Sequence, residues 1–106
     1  MGISGTTFKP QVSVGAKNSK ITNLALPTPN TEVSHVLQNG LRSVIIKSRV
    51  SNVKLQLAFT ATESSTKYVT IKKNNTFALD LLEWQSQTLY IQAESATTVE
   101  ILELYT

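Results

Sequence analysis

The chain has 106 residues, of which 41% are hydrophobic and 16% are charged, and this composition predicts one globular domain with a modest core. It contains no cysteine, so disulfide bonds and thiolate metal sites are excluded. No apolar run is long enough to span a membrane and the N-terminus lacks the apolar core of a signal peptide, so we expect no membrane partner and a protein used where it is made.

The formal net charge of +3 is unevenly distributed along the chain. Basic residues dominate the first 54 residues, whereas six of the seven acidic residues come later. We interpret this split as scattered, solvent-exposed charge. The alternative is a protein that docks electrostatically by one end.

Residues 1–19 predict an extended N-terminal arm. The segment is rich in Gly, Ser, Thr and Lys, and its apolar residues, Phe8 and Val12 among them, are spaced too irregularly for a helix. Such a segment buries little surface by itself, so we expect it to lie along its own domain or to contact a neighbouring subunit. Residues 20–106 form the predicted domain.

Strand patterns begin directly after the arm. Residues 21–26 predict a strand that Pro27 and Pro29 stop, because proline lacks a backbone donor. Residues 32–37 alternate apolar and polar side chains. Asn39-Gly40 then supplies two residues that tolerate positive φ, which predicts a type I′ hairpin turn into the β-branched strand 42–48.

The second half of the chain continues the period of two. In residues 53–59, Val53, Leu55 and Leu57 alternate with more polar neighbours, as in a strand with one face on a core. Four further strands are predicted at 67–71, 76–82, 89–93 and 98–105, with residues 83–87 as a connection that contains Trp84, the only tryptophan.

Eight strand-like segments at spacings of about ten residues, separated by turn signals, indicate an antiparallel sandwich or barrel. Eight is also the strand number of a jelly roll. The predicted fold class is therefore all-β: a single antiparallel β-sandwich, jelly-roll-like with about eight strands, preceded by the extended arm.

The side chains that serve most often in acid–base catalysis are scarce, with one histidine and one aspartate in the chain. His35 lies in phase with apolar neighbours, so we expect a hydrogen-bonded strand histidine or an interface contact. Glu100 and Glu103 differ by an odd number and should point to opposite faces of a strand, as solvent or interface groups. The four glycines are too dispersed to cradle a phosphate. We therefore expect no enzyme activity, no cofactor and no metal.

The sequence pI of about 9.3 raises the possibility of nucleic-acid binding. The tyrosines, however, are separated from the cations, without the interleaving that base stacking favours, so we expect no direct contact with nucleic acid. Trp84 is either a core plug or an exposed anchor for a partner. Eight residues are candidates for partner binding: Phe8, Lys9, Val12, Lys17, Lys20, Arg42, Arg49 and Trp84.

Several short segments resemble small structural proteins of tailed bacteriophages. The segments are LPTPNTEVS at 26–34, ESSTKYVTI at 63–71, TLYIQA at 88–93 and VEIL at 99–102, and the resemblance extends from Leu24 to the end of the chain. It implies a compact β-sandwich that coats or completes a virion. It further implies a trimer over capsid lattice points, with an arm that grips the shell or a neighbour.

The resulting hypothesis is a capsid decoration or cement protein that is made in the host cytoplasm and binds the major capsid protein on the outer surface of the virion. The arm and a basic face would make the contact. One alternative is a tail, neck or baseplate component of the same fold. Another is a carbohydrate-binding module for host attachment, in which Trp84 and the tyrosines would form an aromatic platform.

Overall fold

The computed structural model describes residues 17–84 and 87–106, with the backbone alone for 81–84. This part of the chain is all-β and contains eight strands. The strands are β1 (Asn18–Leu26), β2 (Val33–Val36), β3 (Leu41–Ser48), β4 (Leu55–Ala58), β5 (Val69–Ile71), β6 (Thr76–Trp84), β7 (Thr88–Ala93) and β8 (Thr97–Tyr105).

The strands form two antiparallel four-stranded sheets. Sheet A has the order β1-β8-β3-β6 and sheet B the order β2-β7-β4-β5. This is the strand order of a jelly roll, in which the chain passes from one sheet to the other at nearly every connection. Within the described strands only β4 and β5 are both consecutive and paired with each other. The predicted all-β, jelly-roll-like sandwich is confirmed.

The core lies between the two sheets and takes alternate side chains from each strand. In sheet A, Val44, Ile46 and Ile101 are fully buried, and Leu55 and Ile91 lie opposite them in sheet B. The neighbours of these residues along each strand point away from the core, because successive side chains of a strand alternate between its two faces. The period-two pattern of the sequence therefore corresponds directly to the core.

The predicted hairpin at Asn39-Gly40 is wrong. The residues do form a turn, but β2 belongs to sheet B and β3 to sheet A, so the strands on either side do not pair. The positive φ falls on Gly40, at 76°, and not on Asn39. Leu37 and Leu41, which flank the turn, are both buried, so the chain gains more by crossing between the sheets than by folding back on one of them.

Some strand limits also differ from prediction. β1 begins at Asn18, so Asn18 and Ser19 belong to the first strand and not to the arm. β6 continues to Trp84, whose backbone pairs with Leu41, so residues 83 and 84 are not a connection. Pairing with β3 supplies the hydrogen-bond partners that sequence periodicity does not reveal. Residues 1–16, most of the predicted arm, lie outside the described residues.

Two valines provide a test of the core. Val44 is fully buried in β3, whereas Val36 in β2 is 60% exposed. We expect Val44→Ala to lower the free energy of unfolding by about 2 kcal/mol, because it removes buried methyl groups and leaves a cavity. Val36→Ala is the matched control and should change it by less than about 0.5 kcal/mol. Urea denaturation measures both, and equal effects would contradict the described sheet packing.

Candidate interaction surface

An apolar row crosses the face of sheet A that points away from the core. Ile21 pairs with Leu102, Leu102 with Ile45, and Ile45 with Ala78, so one residue from each of the four strands lies in a single lateral line. Their strand neighbours Ile46 and Ile101 are buried, which places these side chains outside. We call this line the apolar row.

A charged row lies beside the apolar row, two residues along each strand. It consists of Asn23, Glu100, Lys47 and Thr76, which pair across the same four strands. The Nζ of Lys47 lies 3.8 Å from Oε1 of Glu100, and Arg49 Nε donates to Oε2 of Glu100 at 2.9 Å. A groove of about 340 Å³ runs between the two rows.

The apolar row leaves hydrophobic surface in contact with water. Ile21 is 71% exposed, and Ile45 and Leu102 are partly exposed. Single exposed apolar side chains are ordinary, but a continuous exposed group that polar residues border is typical of a protein interaction surface. The outer face of sheet A is therefore a candidate interaction surface.

A second candidate surface is the end of the sandwich formed by the β1–β2, β3–β4, β5–β6 and β7–β8 connections. These connections carry four basic residues and two acidic residues, Glu32 and Glu94. Glu94 is already engaged, since it accepts a hydrogen bond from the backbone N–H of Lys54 at 3.0 Å. We call this surface the basic end, and its cations are Arg49, Lys54, Lys72 and Lys73.

The basic end contains a pocket of about 160 Å³ between the two sheets. Its floor consists of the buried residues Val53, Leu55 and Ile71, and polar side chains of the turns form its rim. Asn74 occupies this rim with φ of 66°, and its backbone N–H donates to the carbonyl of Ser51. This bond joins the β5–β6 turn to the β3–β4 connection, so the rim is held from both sheets.

The structure divides the predicted partner-binding residues between opposite ends of the sandwich. Lys17, Lys20 and Arg42 lie at the end where β1 and β3 begin, near Tyr105. Arg49 follows the last residue of β3 and comes seven positions after Arg42, which corresponds to roughly 23 Å along an extended strand. The structure therefore does not bring them into one basic face.

The side chains of the other four predicted residues are not among those that the structure describes. Phe8, Lys9 and Val12 lie outside the described residues, and Trp84 is described by its backbone at the end of β6. Three cations of the basic end, Lys54, Lys72 and Lys73, were not among the candidates. No local signal joins them, because they meet only when the β3–β4 and β5–β6 connections come together.

The basic first half and the acidic second half of the sequence are not separated to the same degree in the folded protein. Acidic β8 pairs with basic β1 and β3, which brings Glu100 beside Lys47 and Arg49. The surplus of positive charge persists mainly at the basic end, where the connections and not the paired strands supply it.

The prediction that Glu103 is a solvent or interface group is wrong. Its side chain is 0% exposed, because odd-numbered residues of β8 face the core. The expectation that it diverges from Glu100 is correct. His35 Nε2 donates to Oε2 of Glu103 at 3.0 Å, and the backbone N–H of Gln38 donates to Oε1 at 2.6 Å. His35 is thus a hydrogen-bonded strand histidine, and the pair connects sheet B to sheet A.

A second polar cluster holds the β4–β5 loop against sheet B. The carboxylate of Glu32 accepts the backbone N–H groups of Thr62 and Ser64 at 2.9 and 3.2 Å and the hydroxyl of Ser64 at 2.5 Å. Gln92 lies 3.0 Å from the same hydroxyl and donates to Gln56 at 2.8 Å. The Ser64 hydroxyl, followed by these backbone donors, lowers the pKa of Glu32 below its ordinary value despite partial desolvation.

The described residues include no cluster of three or more His, Cys, Asp or Glu side chains that could hold a metal ion. Within the same residues, no helix is long and apolar enough to cross a membrane.

Comparison of the chain with protein-family models, with curated proteins and with solved structures found no match. The resemblance to phage virion proteins thus stays a hypothesis that is carried by short sequence segments alone.

Two glutamates of β8 provide a matched test. We expect Glu103→Ala to lower the free energy of unfolding by about 2–4 kcal/mol, because His35 and the Gln38 N–H lose a buried acceptor. Glu100→Ala removes an exposed ion pair and should cost less than about 1 kcal/mol. Thermal and urea unfolding would show the difference. A Glu103→Ala variant as stable as Glu100→Ala would contradict the inter-sheet bond.

The Glu32 cluster should be visible in the pH dependence of stability. A carboxyl whose pKa is lower when folded stabilises the protein above its unfolded pKa, and this contribution disappears as the pH falls through the folded value. We therefore expect Ser64→Ala to be less stable than the wild type at neutral pH, by an amount that shrinks below about pH 4. Ser34→Ala, an exposed serine on β2, is the control. A pH-independent difference would contradict the role of Glu32.

Proposed function

We propose that the chain is a non-enzymatic structural protein of a tailed-phage virion, and specifically a capsid decoration or cement protein on the outer surface of the head. The jelly roll is a fold of viral capsid domains, although it also occurs in lectins, so the fold agrees with the proposal without selecting it. The sequence segments at 26–34 and 63–71 supply the phage resemblance. The major capsid protein is the proposed partner.

The single observation that carries the proposal is the basic end. Four cations with two acidic residues lie on the connections at this end, a surface that suits an acidic patch of a protein lattice. Both acidic residues are already engaged within their own chain, since Glu32 accepts the backbone N–H of Thr62, and Glu94 accepts that of Lys54 and pairs with Lys73. Exposed lysines of this kind steer association and set its salt dependence.

Residues 1–16 are proposed as a second contact. They precede β1, which is an edge strand of sheet A. At about 3.3 Å per residue an extended segment of this length reaches roughly 50 Å, far enough to contact a neighbouring capsid subunit. Such an arm contributes contact area that offsets its ordering entropy.

The proposed docking is tested with undecorated heads of the phage that encodes the chain. We expect Lys54→Glu/Lys72→Glu to raise the dissociation constant at least about tenfold, with a weaker dependence on salt, because the basic end loses its charge complementarity. Lys17→Glu/Lys20→Glu makes the same charge change at the opposite end and should have a small effect. Co-sedimentation with heads over a salt series measures both variants.

Four results would contradict parts of the proposal. A loss of binding in Lys17→Glu/Lys20→Glu alone would move the contact to the other end of the sandwich. Unchanged binding after deletion of residues 1–16 would remove the arm from the contact. If imaging of the virion finds the protein on the tail, neck or baseplate, the first alternative would replace the capsid assignment. Glycan binding without head binding would instead support the carbohydrate-binding module.

A further inference from the structure

We propose that the outer face of sheet A binds the same face of a second copy of this chain, about a two-fold axis parallel to the strands that passes between β8 and β3. The inference rests on the cross-strand register of this face and does not depend on the virion assignment. It departs from the trimer that the phage resemblance implies, because a contact in which the same patch occurs on both copies closes as a dimer.

The strand order makes the face suitable for this symmetry. The order β1-β8-β3-β6 has β8 and β3 at its centre, one on each side of the proposed axis. Rotation about the axis places β8 opposite β3 of the second copy, and β1 opposite β6. The rotation does not shift a row along the strand direction, so each lateral row of one copy faces the same row of the second copy. Two sheets that pack in this way lie about 10 Å apart, with their strands within about 30° of each other.

The apolar row is complementary to itself under this rotation. Leu102 meets Ile45 of the second copy, and Ile45 meets Leu102, so two pairs of branched side chains pack at the centre. At the edges the large Ile21 meets the small Ala78. Alternation of large and small side chains across facing positions is the arrangement that allows two layers to interdigitate.

The charged row is also complementary to itself. Glu100 meets Lys47 of the second copy, and Lys47 meets Glu100, which gives two intermolecular ion pairs. Within its own chain Glu100 is shared between Arg49 at 2.9 Å and Lys47 at 3.8 Å, so its nearer partner is Arg49 and the ammonium of Lys47 is the more weakly held. Asn23 meets Thr76, so no charge is left facing an apolar group in this row.

The third lateral row of this face also brings no like charges together under the rotation. It contains Ser19, Leu104, Ser43 and Asp80, in register across the four strands. Asp80 meets Ser19, and Leu104 meets Ser43, a buried residue whose Oγ donates to Asp80 Oδ1 at 2.8 Å. Across all three rows, no like charges face each other. This agreement of shape and charge favours a second copy over an unrelated apolar partner, for which no self-complementarity would be needed.

Charge reversal combined with mixing tests the proposal on the full chain. In a homodimer of Glu100→Lys, each new lysine faces Lys47 of the other copy. In a homodimer of Lys47→Glu, each new glutamate faces Glu100 of the other copy. We expect each variant to raise the dimer dissociation constant about tenfold or more, because two attractive contacts become repulsive. An equimolar mixture restores both ion pairs in the heterodimer and should return the dissociation constant close to the wild-type value. Sedimentation equilibrium measures all three samples.

The mixing step separates this proposal from an effect within one chain, since breaking the internal contacts of Glu100 is not repaired by a second protein. Ile21→Ser tests the apolar row independently, with Val36→Ser on sheet B as the control of similar exposure. We expect Ile21→Ser to weaken the dimer about tenfold and Val36→Ser to leave it unchanged. The proposal would be overturned if the wild-type chain is a monomer at millimolar concentration or a trimer. It would also be overturned if the mixture stays dissociated, or if Ile21→Ser leaves the dimer dissociation constant unchanged.

Discussion

The burial of alternate side chains from two sheets in one shared layer is the constraint on which this structure depends. Without a cysteine, the described fold holds together by packing, and fully buried side chains such as Val44, Ile46 and Leu55 interdigitate from both sides. Each strand therefore commits one of its faces to the core. The other face is free to differ from protein to protein, and here the outer face of sheet A carries the apolar and charged rows.

Polar groups inside this protein are used to join elements. Glu103 lies within the sandwich and receives donors from β2 and from the connection to β3, so it links the sheets at the point where the chain crosses between them. Glu32 links elements on the outer side of sheet B, where it accepts hydrogen bonds from Thr62 and Ser64 of the β4–β5 loop. A buried carboxylate is tolerated only when its oxygens are satisfied, and both oxygens of the buried Glu103 accept hydrogen bonds. Neither arrangement requires a ligand.

The two candidate surfaces have different physical characters and suit different partners. A surface with excess positive charge, such as the basic end, acts on an acidic partner over distance, and this attraction weakens with salt. The apolar row acts at contact only, through the removal of hydrophobic surface from water. Because one lies on a sheet face and the other across the connections at one end, a single copy could use both at once. An assembly protein that joins its own copies and also docks on a lattice would need such a division.

The amino-acid sequence by itself determined the fold class, the approximate number of strands and the core-facing side of clearly alternating strands such as β4, because alternation with period two is a local property that each strand carries alone. It also showed that Glu100 and Glu103 diverge. The tertiary structure decided the rest: that the Asn39-Gly40 turn crosses between sheets, that Glu103 is buried, that Arg42 and Arg49 lie at opposite ends, and that Ile21, Ile45 and Leu102 form one row. These features depend on which strands pair and in what register. Pairing between residues up to 87 positions apart is set by the packing of the whole core, which no local pattern records.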